Sequence, residues 1–210
     1  MSSTRRLLAD PSCVFAWPLG SQPLQEARDR HVVTGAPTAE LGPWGNAAAF
    51  GGAADYITLS AAWEWKLRFD SATQDFSIAA WCRRGATGAI QTIFGKEDGA
   101  DDGYIFRFLA SDVAQIKVNA ASAGSPAVAD AEWHCVVGVV DRSASLLVYL
   151  DGTPGAGVAI AGPAMATTAT PRIGVRFYDT SGYYNGGIAG VCVWDRVLSA
   201  AECTGLAGVV

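Results

Sequence analysis

Apolar residues recur at every second position along most of this chain. Phe76, Ile78 and Ala80 share one face of an extended stretch over 75–84. Tyr104, Phe106 and Phe108 alternate with Ile105, Arg107 and Leu109, and 113–119 alternates again. Near the end of the chain Val191 and Val193 lie on one face, with Cys192 and Trp194 on the other. A period of two marks a half-buried strand. The apolar runs 132–141 and 146–150 also read as strands. Asp151-Gly152 follows the second run and signals a hairpin turn. Shorter strands are expected at 13–17, stopped by Pro18, at 46–60 on either side of Gly51-Gly52, at 91–96, and at 172–174. Residues 22–45 are polar, contain Pro23, Pro37 and Pro43, and are expected to form an irregular crossing; 122–131 is expected to be a loop. Over 61–72 the alternation of Trp63, Trp65, Leu67 and Phe69 fits a strand or an extended loop. Ser199 with Glu202 three residues later has capping-box spacing, the start of a short helix. Strands spaced by roughly ten residues point to an all-β, two-sheet antiparallel sandwich with a short C-terminal helix. No linker or repeat interrupts the pattern, so one domain is expected over 13–210, preceded by an N-terminal arm over 1–12.

Composition agrees and narrows the partners. Half of the 210 residues are hydrophobic, enough for a large core, and 24 glycines supply turns. The net charge is −5, and no basic run exceeds the pairs Arg5-Arg6 and Arg83-Arg84, which argues against a nucleic-acid partner. No apolar run approaches the length of a membrane-spanning helix, so no membrane insertion is expected. Leu7-Leu8-Ala9 after Arg5-Arg6 is too short for the apolar part of a secretory signal, and synthesis in the cytoplasm is expected. The five cysteines, Cys13, Cys82, Cys135, Cys192 and Cys203, are odd in number, widely spaced and without a C-x-x-C motif. They read as free apolar thiols in strands, with a Cys13–Cys192 bridge as the alternative.

Several motifs carry a resemblance. Phe50-Gly51 followed by Asp55-Tyr56-Ile57, the stretch Phe76-Ser77-Ile78 with Trp81, and Trp133 ahead of Val136 come first. Tyr149-Leu150-Asp151-Gly152, Ile173-Gly174, and Trp194-Asp195-Arg196 with Leu198-Ser199 and Glu202 follow. In this order and spacing, from about Cys13 to Leu206, they resemble laminin-G-like domains, the concanavalin A-like lectin-glucanase jelly rolls of the pentraxin-like superfamily. The resemblance implies that the closing strand lies in mid-sheet beside the first strand, so that 191–195 pairs with 13–17. It also implies a variable loop at 176–185.

The same resemblance frames the chemistry. Glucanases of the superfamily carry Glu-x-Asp-x-x-Glu on one strand, and no strand here has that arrangement. Hydrolysis of a glycosidic bond needs two flanking carboxylates, so no enzyme activity is expected. His134 adjoins Cys135, but neighbours on a strand point to opposite faces and cannot form a nucleophilic pair. Many relatives hold calcium with acids after the first strand and on the closing strand. Here Gly20-Ser21 and Ala189-Gly190 stand at those places, so the usual site is expected to be empty. Asp98, Asp101 and Asp102 form the alternative calcium cluster, read first as a solvated acidic turn.

Aromatic residues are the better candidates. Sugar rings stack on Tyr or Trp while their hydroxyls seek amides and carboxylates. Loop 176–185 offers Tyr178, Asp179, Tyr183, Tyr184 and Asn185 as ligand-binding residues, with at least one of the three tyrosines exposed. Trp17, Trp81, Trp133 and Trp194 are expected in or at the edge of the core; Trp44, Trp63 and Trp65 are a possible second exposed patch. The expected function is non-catalytic recognition or adhesion. Its partner would be a glycan or a neighbouring structural protein, on a virion surface of the phage decoration or tail-fibre type, as an oligomer or part of a larger assembly. A cell-surface protein–protein interaction domain and a glycoside hydrolase are the alternatives.

Overall fold

The computed structural model describes residues 9–17, 31–99, 102–160, 164–165, 167–178 and 181–208. Most of the expected N-terminal arm, Gly20-Ser21, Asp101 and Asp179 lie outside these residues. In chain order the strands are β1 (Cys13–Trp17), β2 (Val32–Thr34), β3 (Thr38–Gly42), β4 (Gly45–Gly51), β5 (Tyr56–Thr58), β6 (Phe76–Arg84), β7 (Gln91–Glu97) and β8 (Gly103–Phe108). Then come β9 (Val113–Val118), β10 (Ala121–Ala127), β11 (Trp133–Val140), β12 (Ser145–Leu150), β13 (Thr153–Pro154), β14 (Val158–Ala159), β15 (Arg172–Ile173) and β16 (Asn185–Trp194). The helices are α1 (Ala61–Lys66) and α2 (Ala200–Ala207).

Among the described residues the strands form two antiparallel sheets. One runs β13-β12-β11-β6-β16-β4-β3, with β1 also on β16 and β14 also on β12; the other runs β10-β9-β8-β7-β15-β5-β2. The closing strand β16 is the spine of the first sheet. It pairs with β6 along its length, with β4 over Asn185–Ile188, and with β1 over Val191–Trp194. The first and last strands therefore lie side by side, with Phe15 opposite Val193 and Trp17 opposite Val191. Beyond β16 the chain is pinned by Arg196. Its guanidinium donates to Asp10 Oδ2 (2.6 Å), Glu202 Oε1 (2.7 Å) and Ser12 Oγ (2.9 Å). The expected capping box forms: Ser199 Oγ accepts from Glu202 N, and the Glu202 carboxylate accepts from Ser199 N. Such a cap contributes about 1 kcal/mol.

The main core lies between the sheets, around Phe76, Phe94, Phe106, Ile116, Ile173 and Val191. A second cluster covers the outer face of the nine-stranded sheet, where Leu198, Cys203 and Leu206 pack over Trp81, Cys135, Cys192 and Trp194. Trp17, Trp81 and Trp194 are buried and Trp133 is half-buried, as expected of core and core-edge residues. All five thiols are free. Cys192 pairs with Ala16 while Cys13 pairs with Trp194, so the alternative Cys13–Cys192 bridge is not made. Burial pushes the Cys82 and Cys203 thiols up to about 12 and Cys13 to about 11, far from the thiolate a nucleophile needs.

Three local expectations are corrected. Residues 61–66 are helical, not extended. Trp63 and Leu67 sit one turn apart and both turn inward, Trp63 edge-on to Phe15 at 4.9 Å, whereas Trp65 is 73% exposed. Period two would have put all three on one face; the spacing of four wins because Ser60, in extended conformation, lets Ala61-Ala62 open a helix. Residues 121–127 form β10 rather than a loop. Small and polar side chains hide the pattern, but the backbone pairs with β9 through a tight turn at Asn119, whose φ is +50°. Within the expected irregular crossing, β2 pairs with β5 and β3 with β4.

Candidate functional site

The connection from β15 to β16 is built from both ends inward. Gly174, at φ +89°, donates its N–H to Ile93 O (3.1 Å), and a Cβ there would sit 3.0 Å from the Phe50 ring. Tyr184 N donates to Gly174 O (2.8 Å) and Thr92 N to Gly182 O (2.8 Å), so the loop is stitched to itself and to β7. Arg172, on the outward face because its neighbour Ile173 is core, holds the loop from below. Its guanidinium lies 5.0 Å from the Tyr56 ring and 4.8 Å from the Phe177 ring, and Nη1 donates to Phe177 O (3.0 Å). Tyr183 extends this aromatic row, 6.3 Å from Tyr56.

Of the three loop tyrosines, Tyr178 is the exposed one, at 41%. It is not free to swing. Arg176 Nη1 donates to its hydroxyl (2.7 Å), and Arg176 Nη2 donates to Ser181 Oγ (2.6 Å). The other side of the ring packs on Gly99, where a Cβ would come within 2.7 Å of it; φ there is +86°. Gly99 belongs to the acidic turn between β7 and β8, closed by a bond from Asp98 N to Asp102 O (3.1 Å). The structure thus brings the acidic turn and the aromatic loop together, 79 residues apart in sequence. An apolar ring held rigidly beside a guanidinium and against the backbone of an acidic turn suits a polyhydroxylated ligand.

The remaining predicted residues have other places. Tyr184 is buried to 0% and packs edge-on against Phe50 at 6.2 Å. It is an anchor, not a contact for ligand, and burial pushes its hydroxyl pKa well up. The reason is a bulge in β16 between Ile188 and Gly190, opposite β6. Beyond it Val191 and Val193 face the core; before it Tyr184 and Ile188 do. Extending the Val191/Val193 phase backwards without the bulge would turn Tyr184 outward. Asn185 is half-buried, its N–H donating to Gln91 Oε1 (3.2 Å) and its side chain wedged against the backbones of Gly52 and Gly85. Trp44, Trp63 and Trp65 do not form one patch. Trp44 packs on Trp81 over the outer cluster, at 4.5 Å, and Trp63 packs on the inter-sheet core. Among the described residues no group of three or more His, Cys, Asp or Glu side chains is placed to hold a metal. On β16 Ala189 and Gly190 are buried and offer no side-chain oxygen, so the residues present do not fit the calcium that many relatives hold there.

Tyr56, Arg172, Arg176 and Phe177 were not singled out from sequence. A signal existed for Arg172, which alternates with the core residue Ile173, and for Arg176, two positions before Tyr178. No helix among the described residues is long and apolar enough to cross a membrane.

Comparison with known proteins agrees with the fold. Residues 50–204 match a laminin G family model described as concanavalin A-like lectin/glucanases superfamily. Among solved structures, the chain is similar to domain 4 of AbnA, a GH43 extracellular arabinanase from Geobacillus stearothermophilus, in complex with arabinotriose (TM-score 0.61, 16% identity, 82% of each chain). It is also similar to the binding domain of botulinum neurotoxin serotype G (TM-score 0.62, 14% identity, 85% of this chain and 46% of that one). A third is Trypanosoma rangeli sialidase in complex with the inhibitor DANA (TM-score 0.59, 15% identity, 83% of this chain). The chain spans only 29% of the sialidase. No curated protein matches the chain.

Proposed function

We propose that this chain, which belongs to the concanavalin A-like lectin/glucanases superfamily, is a non-catalytic glycan-recognition module. The observation that carries the reading is Tyr178: an exposed ring locked between Arg176 and Gly99, beside the acidic turn. Rigid aromatic platforms bind saccharides at small entropic cost, because little has to be ordered on binding. Tyr183 and Tyr56 continue the surface, and Asp179, outside the described residues, belongs to the same loop. The AbnA domain, which shares this fold, is complexed with arabinotriose, and a related botulinum neurotoxin type C depends on two ganglioside molecules for cell entry. Those facts belong to the relatives; they support a glycan as the class of ligand to test here. The non-catalytic part of the reading rests on the sequence, in which no strand carries the Glu-x-Asp-x-x-Glu arrangement that glucanases of the superfamily use.

The test is a glycan array followed by calorimetry on the best ligand. Tyr178→Ala is expected to weaken binding about tenfold or more, the loss typical of an aromatic hot spot, with an unchanged melting temperature. Unaltered affinity in that variant refutes this surface as the binding site. Display on a virion is a separate matter on which the relatives do not bear; mass spectrometry of purified particles against cell fractions tests it.

A further inference from the structure

A concave feature elsewhere shares no residue with the Tyr178 surface. It is a cleft of about 430 Å³ between the start of β11 and α2, lined by Trp133, His134, Asp151, Thr204, Ala207 and Gly208. That volume lies within the range of small-ligand sites.

Its walls are held in place. The Trp133 ring has the Arg83 guanidinium 5.9 Å from its centroid, and Arg83 is itself tied to Glu40 at 2.6 Å. The benzo edge of the ring lies on Gly187, where a Cβ would come within 2.6 Å of it. Asp151 opens the β12–β13 turn at φ +48°, and Gly152 at φ +79° lets Thr204 of α2 approach so that a Cβ would be 3.1 Å from its Cα. A side chain at Gly152 would be strained at that φ and would make Thr204 give way by a few tenths of an ångström.

The polar side is a three-membered chain. His134 Nδ1 bonds Asp151 Oδ2 (2.6 Å) and Nε2 bonds Asp130 Oδ1 (2.7 Å). Cys135 N donates to Asp151 Oδ1 (2.9 Å) and Glu132 N to Asp130 Oδ1 (3.1 Å), so backbone fixes both carboxylates. The two carboxylates raise the imidazole pKa to about 9. At neutral pH it is an imidazolium with both N–H groups spent. It has no lone pair for a metal and cannot act as a base. Two carboxylates and one cation leave the group with one net negative charge and spare acceptor lone pairs.

We infer that this cleft is a second saccharide site, taking a neutral sugar unit whose C–H face lies on Trp133 and whose hydroxyls donate to Asp151, the carboxylate that lines it. An aromatic wall with fixed acceptors matches the two sides of a pyranose or furanose ring. The net negative charge selects against sialylated or uronic sugars, since a like charge in the cleft is repelled. The nature of the ligand rests on the glycan-recognition reading; the place does not.

The experiment follows the Trp133 indole resonance by heteronuclear NMR while lactose, maltose, cellobiose and arabinotriose are titrated in turn, with 3′-sialyllactose as the charged counterpart of lactose. At least one neutral sugar is expected to shift it saturably, and 3′-sialyllactose to do so more weakly than lactose if lactose is a ligand. Gly208→Trp fills the cleft while leaving Trp133 in place. A Cβ at Gly208 meets only Gly205 O, at 3.8 Å, so the variant is expected to fold. It should weaken the sugar about tenfold or more, as should Trp133→Ala. Tyr178→Ala should leave this titration unchanged. If no neutral sugar moves Trp133, or if Gly208→Trp binds as tightly as the parent, the inference fails while the Tyr178 reading stands. If, in calorimetry of the glycan-array ligand, only the Trp133 and Gly208 variants lose binding, the Tyr178 reading fails instead.

Discussion

Arginine organises two distant regions of this molecule, and the contrast separates scaffold from surface. At the seam where the chain ends meet, Arg196 spends its donors on the carboxylates of Asp10 and Glu202, and everything it touches is structural. In the β15–β16 loop, Arg172 and Arg176 hold rings, carbonyls and hydroxyls instead. A carboxylate clamp stabilises by charge and leaves its members half-buried. A ring-and-hydroxyl clamp positions an aromatic face and leaves it open. The first is the economy of a closing seam, the second that of a recognition surface.

The largest effect should come from inside the loop, at the residue that looks most like its exposed neighbours. Tyr184→Ala empties a buried site against Phe50, and chemical denaturation should show a loss of about 3–5 kcal/mol. A loss below about 1 kcal/mol would mean that Tyr184 is not the anchor that separates it from Tyr178. Next, Arg196→Ala should cost about 2 kcal/mol, because two carboxylates lose charged hydrogen bonds in one partly buried network.

The seam should also carry the acid sensitivity. The N–H of Ser12 and the Arg196 guanidinium hold Asp10 down at about 2, and Arg196 does the same for Glu202. Carboxyls lowered on folding stabilise above their unfolded pKa of about 4 and lose that contribution as pH falls through about 2. Thermal melts should therefore drop over that window, and Arg196→Ala should flatten the drop. The alkaline limb belongs elsewhere. His134, raised from its ordinary 6.5 to about 9, stabilises fully below about 6.5 and less as pH rises through 9. His134→Gln should remove that slope, about 1–2 kcal/mol after allowance for solvent screening. Tyr178→Ala should show the smallest change in stability, within about 0.5 kcal/mol, while its glycan affinity falls. A destabilisation as large as that of Tyr184→Ala would erase the distinction between the two clamps.

Much of this was legible in residue order. The alternation of Phe76, Ile78 and Ala80 set their common face, Ser199 and Glu202 set the helix start, and the resemblance to laminin-G-like domains implied 13–17 beside 191–195. The same alternation misled at Trp63, Trp65 and Leu67, because a short helix and a strand can both be written with apolar residues two apart. In the site, Tyr178 was legible as a loop aromatic. Its partner Gly99 was not, since nothing local in either segment records the other.

What the chain carries in its own order is therefore periodicity, turn chemistry and capping, all of which are interactions between near neighbours. The phase of β16 is different. One bulged residue at Ala189 inverts which faces of 184–188 meet the core, and that bulge exists only because β6 is there to be opposed. Likewise the Tyr178 platform and the Trp133 cleft arise where segments far apart in sequence close on each other, Gly99 on Tyr178 and α2 on the Asp151-Gly152 turn. Backbone approach of that kind is decided by the packing of whole sheets, and only the folded structure contains it.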